Sequence, residues 1–289
     1  LYPMLHDLGA EFGVVNGWER PMFYKPDADF VDIPSYRYTP TREVVGAEIT
    51  HLQHHVGVME VNGFARFEIT GAGAFDFLDR MICGAMPARN GKVTLAYMLT
   101  QKGSILSEIT IARLADDRYM VGSAAAAEWH DRDWLERHCP RDGSVVITNM
   151  TNSHTILVLA GPQSRTLLAG LALRDDVSAD GLPWLTAKPV TIGHARALAM
   201  AVSFSGELAF ELHIANEALY LAYKLITEAG AAFNLKPFGL YAAESMRLEK
   251  GFGHWKTDFI YEHTPFESGL DRFVRMNKPD FIGKDALAA

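Results

Sequence analysis

Phe67-Glu68-Ile69-Thr70-Gly71-Ala72-Gly73-Ala74-Phe75-Asp76-Phe77-Leu78 is answered by Leu157-Val158-Leu159-Ala160-Gly161-Pro162-Gln163-Ser164-Arg165-Thr166-Leu167-Leu168, with the paired glycines offset by 90 residues. Each stretch reads as a strand, a small residue, a glycine, a short turn and a helix. In the first copy Phe64 to Thr70 alternates apolar and polar side chains, the mark of a half-buried strand. After Gly71 the apolar positions Ala74, Phe75, Phe77, Leu78 and Met81 recur at three-to-four spacing, which predicts an amphipathic helix docked on that strand. A second echo follows each copy, a strand running through small or polar residues into a helix, at Arg118 to His138 and at Leu208 to Ala229. The offset is too long for a solenoid repeat. The order of the echoes therefore predicts an α+β fold of two duplicated antiparallel-sheet-plus-helix domains.

Outward from these echoes, the first 45 or so residues are rich in Pro and aromatics, including Trp18-Glu19-Arg20-Pro21-Met22-Phe23-Tyr24, with Pro26, Pro34 and Pro40 as breaks. Proline interrupts helices and central strands, so residues 1–45 read as an irregular lead-in packed across a surface. The first half then occupies 46–148 and the second 149–289. Leu173 to Thr186, with Arg174-Asp175-Asp176 and Asp180-Gly181, is a polar surface connection.

Of 289 residues, 48% are hydrophobic and 21% charged, which excludes a disordered or collagen-like chain. With 27 basic against 35 acidic residues the net charge is −8, which argues against a protein that grips phosphate backbones, so no nucleic-acid partner is expected. Cys83 and Cys139 are the only cysteines, with no CxxC, so neither a disulfide framework nor a cysteine zinc site is indicated and a reducing compartment fits. No apolar run reaches the length of a membrane span and Leu1-Tyr2-Pro3-Met4-Leu5-His6-Asp7 has no secretory character. The expectation is a cytoplasmic protein, or a mitochondrial-matrix one if eukaryotic, without a membrane partner.

His51, His54 and His55 share a helical spacing, yet no Cys or acid completes a first shell and neither HExxH nor a facial triad is present, so they read as surface or packing histidines and no metal is expected. No GxSxG, P-loop or GxGxxG occurs. Two strand carboxylates hold more interest. In Lys102-Gly103-Ser104-Ile105-Leu106-Ser107-Glu108-Ile109-Thr110-Ile111 a glycine turn feeds a strand in which Ile109 and Ile111 share one face and Glu108 and Thr110 the other. In Gly206-Glu207-Leu208-Ala209-Phe210-Glu211-Leu212-His213-Ile214, Glu211 shares parity with Ala209 and His213, opposite Phe210 and Leu212. Each acid faces either solvent or an interior cavity. In a cavity, desolvation would make it a strong acceptor and a tuned base, suited to a cationic or N–H-rich ligand.

Five anchors resemble, in the family's order, the aminomethyltransferases, which include the T-protein of the glycine cleavage system. They are Gly91-Lys92-Val93 with Met98-Leu99-Thr100-Gln101-Lys102-Gly103, Ala160-Gly161-Pro162-Gln163-Ser164-Arg165, Phe204-Ser205-Gly206-Glu207-Leu208-Ala209-Phe210-Glu211, Met246-Arg247-Leu248-Glu249-Lys250-Gly251, and Glu262-His263-Thr264-Pro265-Phe266-Glu267-Ser268-Gly269-Leu270. Leu8-Gly9-Ala10-Glu11-Phe12-Gly13 and Gly17-Trp18-Glu19-Arg20-Pro21 resemble the junction after the flavin domain of dimethylglycine and sarcosine dehydrogenases, and His254-Trp255 looks like that branch too. The family's third, small β-domain begins soon after a Gly-Lys-x-Ala-Leu stretch, and this sequence stops at Gly283-Lys284-Asp285-Ala286-Leu287. The resemblance thus implies that the flavin domain and the third β-domain are absent from this chain.

The resemblance also implies tetrahydrofolate as cofactor, bound in a central channel, with a one-carbon unit passed to or from a pterin nitrogen. Glu108 falls at the family's strand aspartate and is the catalytic candidate, with Ser107 in place of a neighbouring acid. Glu211 matches the carboxylate that accepts pterin hydrogen bonds. Phe204 and Leu95 stand at two Tyr positions, Gly122-Ser123 replaces Val-Asn, and Arg247 is retained while Ala243 replaces a folate-contacting Arg. Phe204, Tyr97 and Trp255 offer aromatic surface to the ligand, and Arg247 either contacts it or pairs with Glu244 or Glu249. The implied activity is capture of the methylene or formaldehyde of a dimethylglycine- or sarcosine-type amine as 5,10-methylenetetrahydrofolate, beside a flavin dehydrogenase domain or subunit that alone carries FAD. A stand-alone aminomethyltransferase or folate-dependent demethylase, and a non-catalytic folate-binding module, remain as alternatives, the last favoured by the departures at Ser107, Leu95 and Ala243.

Overall fold

A computed structural model describes residues 1–33 and 35–289; Pro34, one of the expected breaks, lies outside the described residues. The lead-in is more regular than its prolines imply. Helix α1 (Tyr2–Asp7) precedes a hairpin of β1 (Ala10–Val15) and β2 (Trp18–Tyr24), in which Val15 pairs with Trp18 across Asn16 and Gly17. Both turn residues have positive φ, 54° and 84°, as a two-residue turn matched to the twist of its strands demands, and Asn-Gly adopts that shape at least cost. Helix α2 (Thr41–His54) starts at Pro40, where the missing N–H is no loss, and leads into β3 (Gly57–Val61).

The first repeat comprises β4 (Ala65–Thr70), α3 (Ala74–Met81), β5 (Val93–Leu99), β6 (Ile105–Ala115), β7 (Arg118–Ser123), α4 (Glu128–His138) and β8 (Val146–Asn149). Its strands form an antiparallel sheet in the order β5-β6-β7-β4-β8. One face carries Phe67, Ile69, Ile109, Ile111, Tyr119 and Val121, buried beneath Phe77, Leu78 and Met81 of α3 and Leu135 of α4. Each such side chain contributes about 1.5–3 kcal/mol by leaving water.

The second repeat has β9 (His154–Ala160), α5 (Ser164–Leu171), β10 (Ala187–Ile192), β11 (Ala195–Met200), β12 (Ala209–Ala215), α6 (Asn216–Gly230), the short β13 (Lys236–Pro237) and α7 (Leu240–Glu249). Its sheet runs β10-β11-β12-β9-β3-β13, so β3 from the front of the chain is built into it. Phe210, Leu212, Leu157 and Leu159 pack under α5 and α6, whereas the opposite face takes Met59, Ala160 and Ala209 against Ala242, Ala243 and Met246 of α7 and Leu52 of α2. Glu48 of α2 is held by the backbone N–H groups of Tyr24 (2.8 Å) and Gly239 (2.9 Å), tying β2 to the start of α7. Burial pushes its carboxyl up to about 7.

The two echoes superimpose in local detail. Gly71 has φ 116° and donates its N–H to Asp117 O, and Gly161 has φ 112° and donates to Leu208 O, each at 2.9 Å. A Cβ at either glycine would run into a carbonyl oxygen, that of Ser144 or of His55. Linear division of the chain at 45/46 and 148/149 does not follow the packing. Contacts instead define one unit of Leu1–Asn62, Ser153–Trp184 and Lys188–Phe252, and another of Gly63–Asn152, Leu185–Ala187 and Gly253–Ala289. Pairing of β3 with β9 is what draws the lead-in into the second repeat.

Candidate functional site

In the unit that contains the first repeat, the strand register sets one carboxylate against a phenol. Tyr97 on β5 pairs with Glu108 on β6, on the face away from α3 and α4, and Tyr97 Oη donates to Glu108 Oε2 at 2.6 Å. Burial raises the Glu108 carboxyl above the ordinary range, with the Tyr97 hydrogen bond pulling the other way. The fully buried Tyr97 phenol is raised strongly by burial and then by the Glu108 charge. Leu95 and Thr110 form the next rung on that face, and Gly122 sits beside Thr110.

Ser123, expected beside the ligand, belongs to the other face. It pairs with Ile109 and Ala65, is buried, and its Oγ has no partner among the described residues. One residue of register separates the two faces, and Gly122 rather than Ser123 falls on the Glu108 side. Ser107 likewise points under the helices, where its Oγ donates to Asp131 Oδ2 of α4 at 2.8 Å. Trp255 is buried in a cluster with Tyr97, Leu99 and Leu270. It also stands near His130 and Tyr261, with ring centroids 6.2 Å and 5.8 Å away.

In the other unit, Glu211 on β12 pairs with Met200 and Val158 and lies on the face away from α5 and α6. Its Oε2 meets Nε2 of buried His213 at 3.1 Å, and Glu211 makes no further hydrogen bond among the described residues. Phe204 is part-exposed in the turn before β12, with the Arg247 guanidinium carbon 5.8 Å from its ring centroid. Arg247 is buried and donates from Nε to Glu244 (2.7 Å) and from Nη1 to Phe252 O (2.8 Å), so of the two expected acids Glu244 is the one seen to pair with it.

The structure thus brings together Tyr97, Glu108 and Leu95, and separately Phe204 and Arg247. Three partners escaped the sequence reading: Tyr97 as a donor to Glu108, His213 as the neighbour of Glu211, and the Asp131–His130 pair. Only His213 left a readable trace, its i+2 parity with Glu211. His51 and His54 direct ring nitrogens at the carbonyls of Val56 and Thr50. Among the described residues no helix is long and apolar enough to cross a membrane.

Carboxylates accept and never donate when ionised, so both faces suit a ligand rich in N–H donors. The mouse dimethylglycine dehydrogenase (Mus musculus) is 35% identical over 281 residues, 96% of this chain and 32% of its own length. The chain therefore spans about a third of that relative. An aminomethyltransferase of Chloroherpeton thalassium is 28% identical over 260 residues, 90% of this chain and 71% of its own length. In fold, the solved glycine cleavage system aminomethyltransferase T from Bartonella henselae matches with a TM-score of 0.82 at 23% identity, covering 99% of this chain and 72% of its own. The GCVT N-terminal domain matches residues 1–278, nearly the entire sequence, and the chain belongs to that family.

Proposed function

We propose that this chain binds tetrahydrofolate and serves one-carbon transfer from an N-methylated amine of the dimethylglycine or sarcosine type. When bound, tetrahydrofolate supplies the nitrogens that take up the carbon, giving 5,10-methylenetetrahydrofolate. The observation that carries the reading is the Tyr97–Glu108 pair, a desolvated carboxyl with raised proton affinity on the sheet face not covered by α3 and α4. Such a group accepts the proton lost when a nitrogen attacks an iminium or formaldehyde carbon and returns it to the departing amine or water. Glu211, with one oxygen on His213, keeps its other oxygen for pterin N–H donors. Phe204 and Trp255 offer ring faces, and Arg247, anchored by Glu244, offers its guanidinium. The flavin chemistry that makes the one-carbon donor is assigned to a separate domain or subunit carrying FAD.

Calorimetric titration with tetrahydrofolate under reducing conditions tests the reading. Micromolar binding is expected, weakened about tenfold or more in Glu211→Ala because a charged acceptor worth roughly 1.5–3 kcal/mol is lost. Unchanged affinity in that variant removes Glu211 from the site. Absence of binding by the folded chain defeats the folate reading for this chain.

A further inference from the structure

Outside the Glu108 face, the same unit holds a second cluster of chemistry-bearing side chains, gathered around His130. Asp131 is 1% exposed, and its two oxygens are taken by Ser107 Oγ and His130 Nδ1, each at 2.8 Å. A carboxylate only accepts, so Nδ1 carries the hydrogen and the ring is fixed with Nε2 turned away from Asp131. No Lys or Arg pairs with Asp131 among the described residues, and His130 is the one ring nitrogen that meets it.

Two aromatic rings stand beside the His130 ring, and a lysine stands beside the same two rings. The His130 ring lies 6.2 Å from Trp255 and 5.9 Å from Tyr261, which meet edge to face at 5.8 Å. Lys256 Nζ is 4.8 Å from the Trp255 centroid and 5.9 Å from that of Tyr261, and Lys256 makes no ion pair among the described residues. Trp255 is buried and forms the floor, while His130, Tyr261 and Lys256 are open to solvent at the rim. Lys256 has φ 69°, a left-handed backbone that a lysine adopts only where its surroundings impose it. Two groups able to carry positive charge, oriented over an aromatic floor, match an anion borne next to a flat or apolar body.

We infer that His130, Lys256, Trp255 and Tyr261 form a carboxylate-binding site, occupied by the glutamate end of the reduced folate. The inference rests on the folate reading above. The same chemistry would accept the carboxylate of an N-methylated amino acid, and the experiment separates the two sources. Binding of tetrahydrofolate, of tetrahydropteroate, which lacks the glutamate, and of dimethylglycine is measured for the unaltered chain, His130→Gln and Lys256→Gln. Lys256 is at the surface, so its variant keeps the fold. The expected result is a preference of about tenfold for tetrahydrofolate over tetrahydropteroate that both variants abolish, with tetrahydropteroate affinity unchanged. Loss of dimethylglycine binding with that preference intact would keep the carboxylate site and reassign its occupant. A preference for tetrahydrofolate and a dimethylglycine affinity that are the same in all three proteins overturn the site while leaving folate binding in place. If neither folate binds the unaltered chain, the folate reading fails and this occupant with it.

Discussion

The two repeats share a strand, a left-handed glycine and a helix, yet the sheet faces turned away from α3 and α4 and from α5 and α6 handle a carboxylate in different ways. Glu108 is desolvated and its partner is a neutral phenol, so the environment favours taking up a proton. Glu211 has an imidazole as its neighbour, with one oxygen 3.1 Å from His213 Nε2 and the other left over to accept a further hydrogen bond. Duplication supplied one scaffold twice. The partner on the adjacent strand or two residues along differs, a phenol for Glu108 and an imidazole for Glu211, and the proposed function rests on that difference.

Substitutions can break or sharpen that contrast. The largest effect is expected from Glu108→Gln, which keeps size and hydrogen bonding but cannot take the proton. Turnover to methylenetetrahydrofolate should fall by about a hundredfold while tetrahydrofolate affinity, read by calorimetry, stays the same. Equal turnover would end the proton-handling role. Next, Gly71→Ala and Gly161→Ala each force a Cβ against a carbonyl oxygen at a positive φ, and each should cost about 2 kcal/mol or more in denaturant unfolding. A large loss at one glycine and none at the other would show that the repeats do not use the motif alike.

Tyr97→Phe removes the donor that holds the Glu108 carboxyl down, so its proton affinity should climb further. The acid limb of the pH–turnover profile should move to higher pH; an unmoved limb would mean that another group sets it. The smallest effect concerns stability. Because the folded-state value of Glu108 is raised, its contribution is fully present below the unfolded carboxyl value and is lost as pH rises through the folded one. Glu108→Gln should therefore melt slightly higher than the parent at neutral pH, with the gap closing on acidification. A gap that is independent of pH would contradict burial as the cause.

Much of this was written in the sequence. Period-two alternation placed Glu108 with Thr110 and Glu211 with His213, because strand parity is a local property. Asn16-Gly17 also announced its hairpin, but the surrounding prolines turned the reading toward irregular chain. Pairing between strands was not legible, since nothing local says that Tyr97 lies opposite Glu108 or that Ser123 lies opposite Ile109. A single residue of register moved Ser123 to the helix-covered face. The insertion of β3 beside β9 was hidden for the same reason, as was the buried carboxylate that α4 brings to Ser107.

That insertion orders events during synthesis. The stretch Gly63–Asn152 is continuous and contains every strand of its own sheet, so it can begin to pair while the rest is still being made. Met59, by contrast, must wait for Val158 before β3 has a neighbour, and its strand edges stay open to stray partners until then. A ribosome-bound chain stalled before β9 should consequently bind chaperones through β3, and release them once β9 has emerged.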